Sequence, residues 1–168
     1  MEGHLNSLIT TFAQPGAVQW LGVRPARREP MVEVRSTEIT LNCLAGDRHD
    51  SPSKRAVSLI QWEHLAVIAS LMGNDAIDPL LLRRNIVVSG INLLGLRKAE
   101  LRVGSGLLRG TGLCAPCSRM EETLGKGGYS AVRGHGGITA EVVEVGVVNV
   151  GDVVEMAPKV TPVFTTNP

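Results

Sequence analysis

The 168 residues are enough for one domain with a substantial core, and at 43% apolar and 20% charged the chain is neither disordered nor fibrous. A formal net charge of +1 gives no support for bulk nucleic-acid or membrane binding, though a local basic cluster can still hold a small anion. With only 3% aromatic residues, Val, Leu and Ile must fill the core. Residues 1–7 lack a basic segment ahead of an apolar run, so no signal peptide is read, and no apolar run approaches membrane-spanning length. Cys43, Cys114 and Cys117 are an odd set, which fits reduced thiols in a cytoplasmic protein better than a disulfide framework.

Alternating patterns predict strands over 17–23 and 31–35 around a turn at 25–30, with a further extended piece over 37–44. The connector 45–55 is too polar and turn-prone for a core and is expected at a surface or a site. A strand over 57–60 leads into a helix over 61–72, with Leu65, Ile68 or Ala69, and Met72 on one face and Gly73-Asn74 as its stop. Trp62 and Met72 are assigned to the core. A loop over 75–79 and a short turn over 80–84 precede a strand over 85–89, closed by Gly90. Further strands follow over 101–103, 106–109, 138–148 and 152–156. Many short strands, 19 glycines and few helices predict a mainly β fold, a closed irregular β-barrel with a few short helices. One domain is expected over 1–157 and a loosely held tail over 158–168.

The stretch 111–120 carries the most chemistry. Pro116 biases Ala115 towards an extended conformation, and a short helix can open at Cys117. Exposed amides at such a helix start favour a thiolate, Arg119 adds to the effect, and a thiolate attacks electrophiles or binds soft metals. Cys114-x-x-Cys117 could be half of a zinc site, with His49 and His135 completing it, but there is no second Cys pair and the spacing is unusual. A redox pair or two unremarkable thiols remain open as alternatives.

A second cluster, Asp47-Arg48-His49 with Lys54 and Arg55, offers a proton donor in His49 and anion-gripping cations, or else a solvated loop. Arg83-Arg84-Asn85 would place cationic heads at a strand rim. Arg133-Gly134-His135-Gly136-Gly137 reads as a Gly-rich hairpin turn and matches no nucleotide-binding motif. The Glu63-His64 pair lacks the spacing of a helical zinc-protease motif.

Taken in order, these segments resemble the MOSC domain, named for the C-terminal region of molybdenum cofactor sulfurases, and most of all its stand-alone bacterial-type members. The likeness runs from about Arg35 to Met156. Gly46-Asp47-Arg48-His49 with Arg55-Ala56-Val57-Ser58-Leu59 is similar to the family's early basic loop and strand. Asn85 to Ile91 is similar to its Asn-x-x-x-x-Gly strand, and Leu101 to Gly106 to its following Gly turn. Pro116-Cys117 falls where the family carries its characteristic cysteine.

The resemblance implies a β-barrel and a pocket lined by Cys117 and basic residues. Cys117 would ligate molybdenum or carry sulfur. Arg48, Lys54, Arg55, Arg83 and Arg119 would bind the phosphate of a molybdopterin-type cofactor or another small anion, with Asn85 as a supporting donor and His49 as proton donor. No segment resembles the Schiff-base lysine site of the sulfurase's pyridoxal phosphate domain, so a stand-alone domain is expected. The first functional expectation is a molybdenum-dependent reductase of N-hydroxylated compounds, served by a separate electron-donor reductase. The alternatives are a carrier that takes persulfide sulfur on Cys117 from a donor protein, with Cys114 as resolving thiol, or a non-catalytic cofactor carrier.

Overall fold

Strand β1, Gly16–Val23, uses both of its edges, which is why almost all of it is buried. In the computed structural model, which describes residues 1–159, its first residues pair with β10, Val153–Met156, and its last with β2, Val32–Val34. Its other edge pairs with β5, Ile86–Ser89. Continuing from β10, the neighbours are β6 (Glu100–Val103), β7 (Gly106–Leu113), β8 (Ile138–Glu144) and β4 (Val57–Gln61), which returns to β5. Seven strands thus close into a barrel with β2 attached outside the ring. The expected mainly β, closed irregular barrel is present.

The β4–β5 pair is parallel. Parallel neighbours need a crossover rather than a hairpin, supplied here by helices α2, Trp62–Leu71, and α3, Pro79–Leu82. Asp78 caps α3 by accepting a hydrogen bond from Leu80 N at 3.0 Å, and Pro79 supplies a preset first turn. Inside the barrel Leu21, Leu59, Ile86, Leu101, Leu108 and Val154 form a continuous core. A second cluster, with Ile60, Ile68 and Val87, joins α2 to the short helices α4, Ser118–Leu124, and α5, Gly128–Val132. Each such buried aliphatic side chain contributes roughly 1.5–3 kcal/mol.

Several expectations need correction. Trp62 is 45% exposed rather than core, because Gln61 takes the inward place at the junction of β4 and α2, its Oε1 accepting from Leu93 N at 3.0 Å. The piece over 37–44 is strand only in β3, Ser36–Ile39; beyond it the Thr40 hydroxyl accepts from Asn42 N and Cys43 N and folds the chain into a turn. The strand over 138–148 is two strands. At Gly146 an added Cβ would lie 2.5 Å from Gly106 N, so the chain crosses there, and β9, Gly146–Asn149, leaves the barrel to pair with β3. Residues 133–137 are no hairpin but connect α5 to β8. Gly137, at φ +85°, lies so close to the Leu59 carbonyl that no side chain would fit.

The N-terminal helix α1, Glu2–Thr10, was not assigned from sequence and buries none of its residues. Most of the expected tail, 160–168, lies outside the described residues. Among the described residues no helix is long and apolar enough to cross a membrane.

Candidate functional site

Asn85 is fully buried at the entry to β5, and its amide is used on every side. Nδ2 donates to Asp47 Oδ2 at 2.8 Å and to the Gly22 carbonyl at 3.1 Å. Oδ1 accepts from the amide and hydroxyl of Ser58, each at 3.1 Å, and from Arg24 Nη2 at 3.3 Å. Asp47, whose side chain has no exposed surface, also accepts from Arg24 Nε at 3.1 Å and lies 3.0 Å from His49 Nδ1. Burial alone would raise the Asp47 carboxyl, but the hydrogen bonds and charge of Arg24, with help from His49, outweigh it and hold the group at about 2. An ionised carboxylate only accepts, so Nδ1 of His49 is the donor and Nε2 is the ring nitrogen left for other partners.

This buried network carries the connector 45–55 onto the rim of a cavity of about 490 Å³. Eight of the chain's thirteen arginines line it, and no lysine does. Arg48 and Arg55 come from the connector, Arg24, Arg27 and Arg28 from the end of β1 and the loop to β2, Arg83 and Arg84 from the end of α3, and Arg119 from α4.

Arg84 is buried, not at a rim as the sequence suggested. Nε donates to the Gly136 carbonyl at 2.9 Å, Nη1 to that of Leu82 at 2.9 Å and Nη2 to that of Cys114 at 3.5 Å. It therefore ties the Gly-rich connection, α3 and the cysteine segment into one wall. Burial pushes Arg84 below its ordinary value, as it does Arg83, where the charges of Arg119, Arg24 and Arg48 add to the effect.

Cys117 is free, exposed and stands at the N-cap of α4, in the wall of the same cavity. Cys114 also lines it but is buried, with its backbone N–H donating to the Gly137 carbonyl at 2.9 Å. Cys43 lies elsewhere, its thiol directed to the His49 carbonyl at 3.2 Å; burial and the nearby Asp47 charge raise its pKa.

Of the residues singled out in the sequence, the structure brings Cys117, His49, Arg48, Arg55, Arg83 and Arg119 to one cavity. Lys54 is not among its lining residues; its carbonyl accepts from the Thr111 hydroxyl on β7. Asn85 is one layer behind, holding Asp47. Sequence reasoning passed over Arg24, Arg27 and Arg28 as wall residues, set Arg84 at a rim rather than buried in the wall, and named Asp47 without seeing it as their organiser. The run Arg24 to Arg28 was a signal for the first three, since three arginines within five residues of a turn concentrate charge that calls for an anionic partner or solvent.

Among the described residues no three of His, Cys, Asp and Glu converge to hold a metal ion by themselves. The arrangement offers one accessible thiol beside a dense array of guanidinium groups. Such a surface can bind phosphate or carboxylate through planar, bidentate hydrogen bonds and can add a single soft ligand to a metal.

Solved structures share this fold. YuaD from Bacillus subtilis superposes with a TM-score of 0.73 at 19% identity, covering 84% of this chain and 94% of that one. YiiM from Geobacillus stearothermophilus gives 0.69 at 16% identity over 86% of this chain and 76% of the other. YiiM from Escherichia coli gives 0.69 at 16% over 89% and 72%. No curated protein matches the sequence. Residues 45–155, from the polar connector through β10 and including Cys117, match the MOSC domain, and the chain belongs to that family.

Proposed function

We propose that the chain binds molybdenum cofactor in the arginine-lined cavity, with Cys117 as the protein's ligand to molybdenum, and reduces N-hydroxylated compounds with electrons from a separate reductase. The observation that carries this reading is a free, exposed thiol sharing one cavity with eight arginines. Family membership supports it, since MOSC domains are associated with molybdenum cofactor binding.

The residues fit the group. One thiol without further clustered ligands suits a metal that arrives with most of its ligands already attached to an anionic organic molecule. Arg119 Nε is buried and has no hydrogen-bond partner, an open donor of the kind an anion's oxygen would take. Arg48, Arg55 and Arg83 would grip the cofactor phosphate. When bound, the cofactor supplies two-electron redox chemistry at the metal.

The overall conversion breaks the N–O bond: two electrons from the reductase and two protons enter, and an amine and water leave. His49 stands in the cavity wall with Nδ1 committed to Asp47, so a proton held at Nε2 can be passed to the departing oxygen. Asp47 fixes the ring's tautomer and angle as the histidine donates.

The test is molybdenum content, by elemental mass spectrometry, of protein purified anaerobically from a cofactor-producing host. Near-stoichiometric metal is expected in wild type and Cys114→Ala and its loss in Cys117→Ala. Metal-free protein in every sample would overturn the reading. An intact mass heavier by one sulfur atom would then favour a persulfide carrier working through the same exposed thiol.

A further inference from the structure

Six of the eight cavity arginines, Arg27, Arg28, Arg48, Arg55, Arg83 and Arg84, have no carboxylate at ion-pair distance among the described residues. Only Arg24 and Arg119 do, through Asp47 and Glu122. A single phosphate monoester brings a charge of about −2. One cofactor phosphate therefore leaves most of this charge unanswered. Cations confined together in a cavity repel one another unless anions join them.

The excess gathers around the loop between β1 and β2. Arg27 and Arg28 are exposed on that loop, and two arginines from other elements hold it. Arg83 Nη1 donates to the Glu29 carbonyl at 2.9 Å and Arg119 Nη2 to the Arg28 carbonyl at 3.0 Å. Arg28 and Arg83 are also the two non-glycine residues with positive φ among the described residues, at 65° and 57°. A left-handed backbone is costly for a residue with a Cβ, and Gly or Asn would occupy it more cheaply. Long cationic side chains at both places point to a use for those side chains.

We infer that this loop forms a second anion subsite and that the substrate is itself an anion, its phosphate or carboxylate seated on Arg27 and Arg28 while its N-hydroxyl group faces the cavity that holds Cys117. The inference rests on the proposed reductase reading and adds its substrate class. A concave cavity of about 490 Å³ suits a small anion better than the acidic face of a protein. The guanidinium fork matches phosphate and carboxylate oxygens in pairs.

The experiment is calorimetric binding of N-hydroxycytidine and of its monophosphate to wild type, Arg27→Ala and the double variant Arg27→Ala/Arg28→Ala. Arg109→Ala serves as a remote surface control, and molybdenum is measured in every sample. The single variant avoids any change at the strained Arg28 position. The monophosphate is expected to bind wild type and the control about tenfold more tightly than the nucleoside. That preference should fall in the single variant and vanish in the double, with molybdenum content unchanged.

Equal affinity for the two compounds in wild type overturns the inference, and so does an undiminished phosphate preference in the double variant. Loss of molybdenum in the double variant would assign these arginines to the cofactor and overturn it as well. A molybdenum-free wild type would sink the reductase reading alone, because the phosphate preference and its loss in the variants are still read in that protein.

Discussion

Asn85 and Asp47, 38 positions apart in the chain, are joined by a hydrogen bond of 2.8 Å that anchors the polar connector to the barrel. Neither residue lines the cavity, yet Arg24 and His49 take their positions from this pair. Replacing Asn85 by Ala leaves Asp47, Ser58 and Gly22 each short of a buried partner. The expected cost is about 2–4 kcal/mol of folding stability, read from urea unfolding, with a matching loss of anion binding. A variant as stable as wild type would show that the network is dispensable.

The Asp47 carboxyl, near 2 in the folded protein and near its ordinary value of about 4 when unfolded, makes stability depend on pH. Its folded value is lowered, so the contribution is present above about pH 5 and is lost as the pH falls through about 2. The contribution is on the order of 2 kcal/mol. Asp47→Asn should be less stable than wild type at neutral pH, and the gap should narrow steadily on acidification. A gap of constant size between about pH 5 and 2 would count against this account.

Thiol accessibility separates the three cysteines. Cys117 is exposed, whereas Cys43 and Cys114 are buried at 4% and 8% exposure. Native cofactor-free protein should therefore take up one equivalent of a thiol reagent rapidly, and fully denatured protein three. Mass spectrometry of peptides should locate the fast site at Cys117, and Cys117→Ala should abolish the fast phase.

Helix α2 offers a paired test of burial. Ile68 is fully buried, and Ile68→Ala should cost about 2–5 kcal/mol through lost packing and a cavity. Trp62, the larger side chain, stands 45% exposed, and Trp62→Ser should cost about 1 kcal/mol or less. Chemical denaturation of both variants checks the order, which is the reverse of what side-chain size alone would suggest.

The barrel was legible because its strands carry their own signals. Alternation and β-branched runs mark β1, β4, β5, β6 and β10, and glycines mark most of their ends. Periodicity fixes only the angle of a side chain around the helix axis, so it could not tell that Gln61 turns inward and leaves Trp62 in solvent. Nor could it tell that the chain changes sheets at Gly146, which depends on contact with Gly106, forty residues earlier.

For the site, spacing identified the thiol and the connector, while Arg84 and Arg83 look alike in sequence. What separates them is tertiary: one donates to three backbone carbonyls inside the wall, and the other reaches over to the loop at Glu29. Lys54 beside Arg55 is a similar case: both sit in the turn over 53–56, where the Ser53 hydroxyl accepts from Arg55 N and the Ser53 carbonyl from Ala56 N, and of the two only Arg55 lines the cavity.

The pairing of Gly16 with Val154 has a consequence for how the molecule is made. The first strand of the ring meets the last, so while the chain is leaving the ribosome β1 and β6 both keep an unsatisfied edge until β10 has emerged. During synthesis the protein is an open sheet with two ends able to recruit other chains, and its need for chaperones should be greatest in the moments before β10 is released.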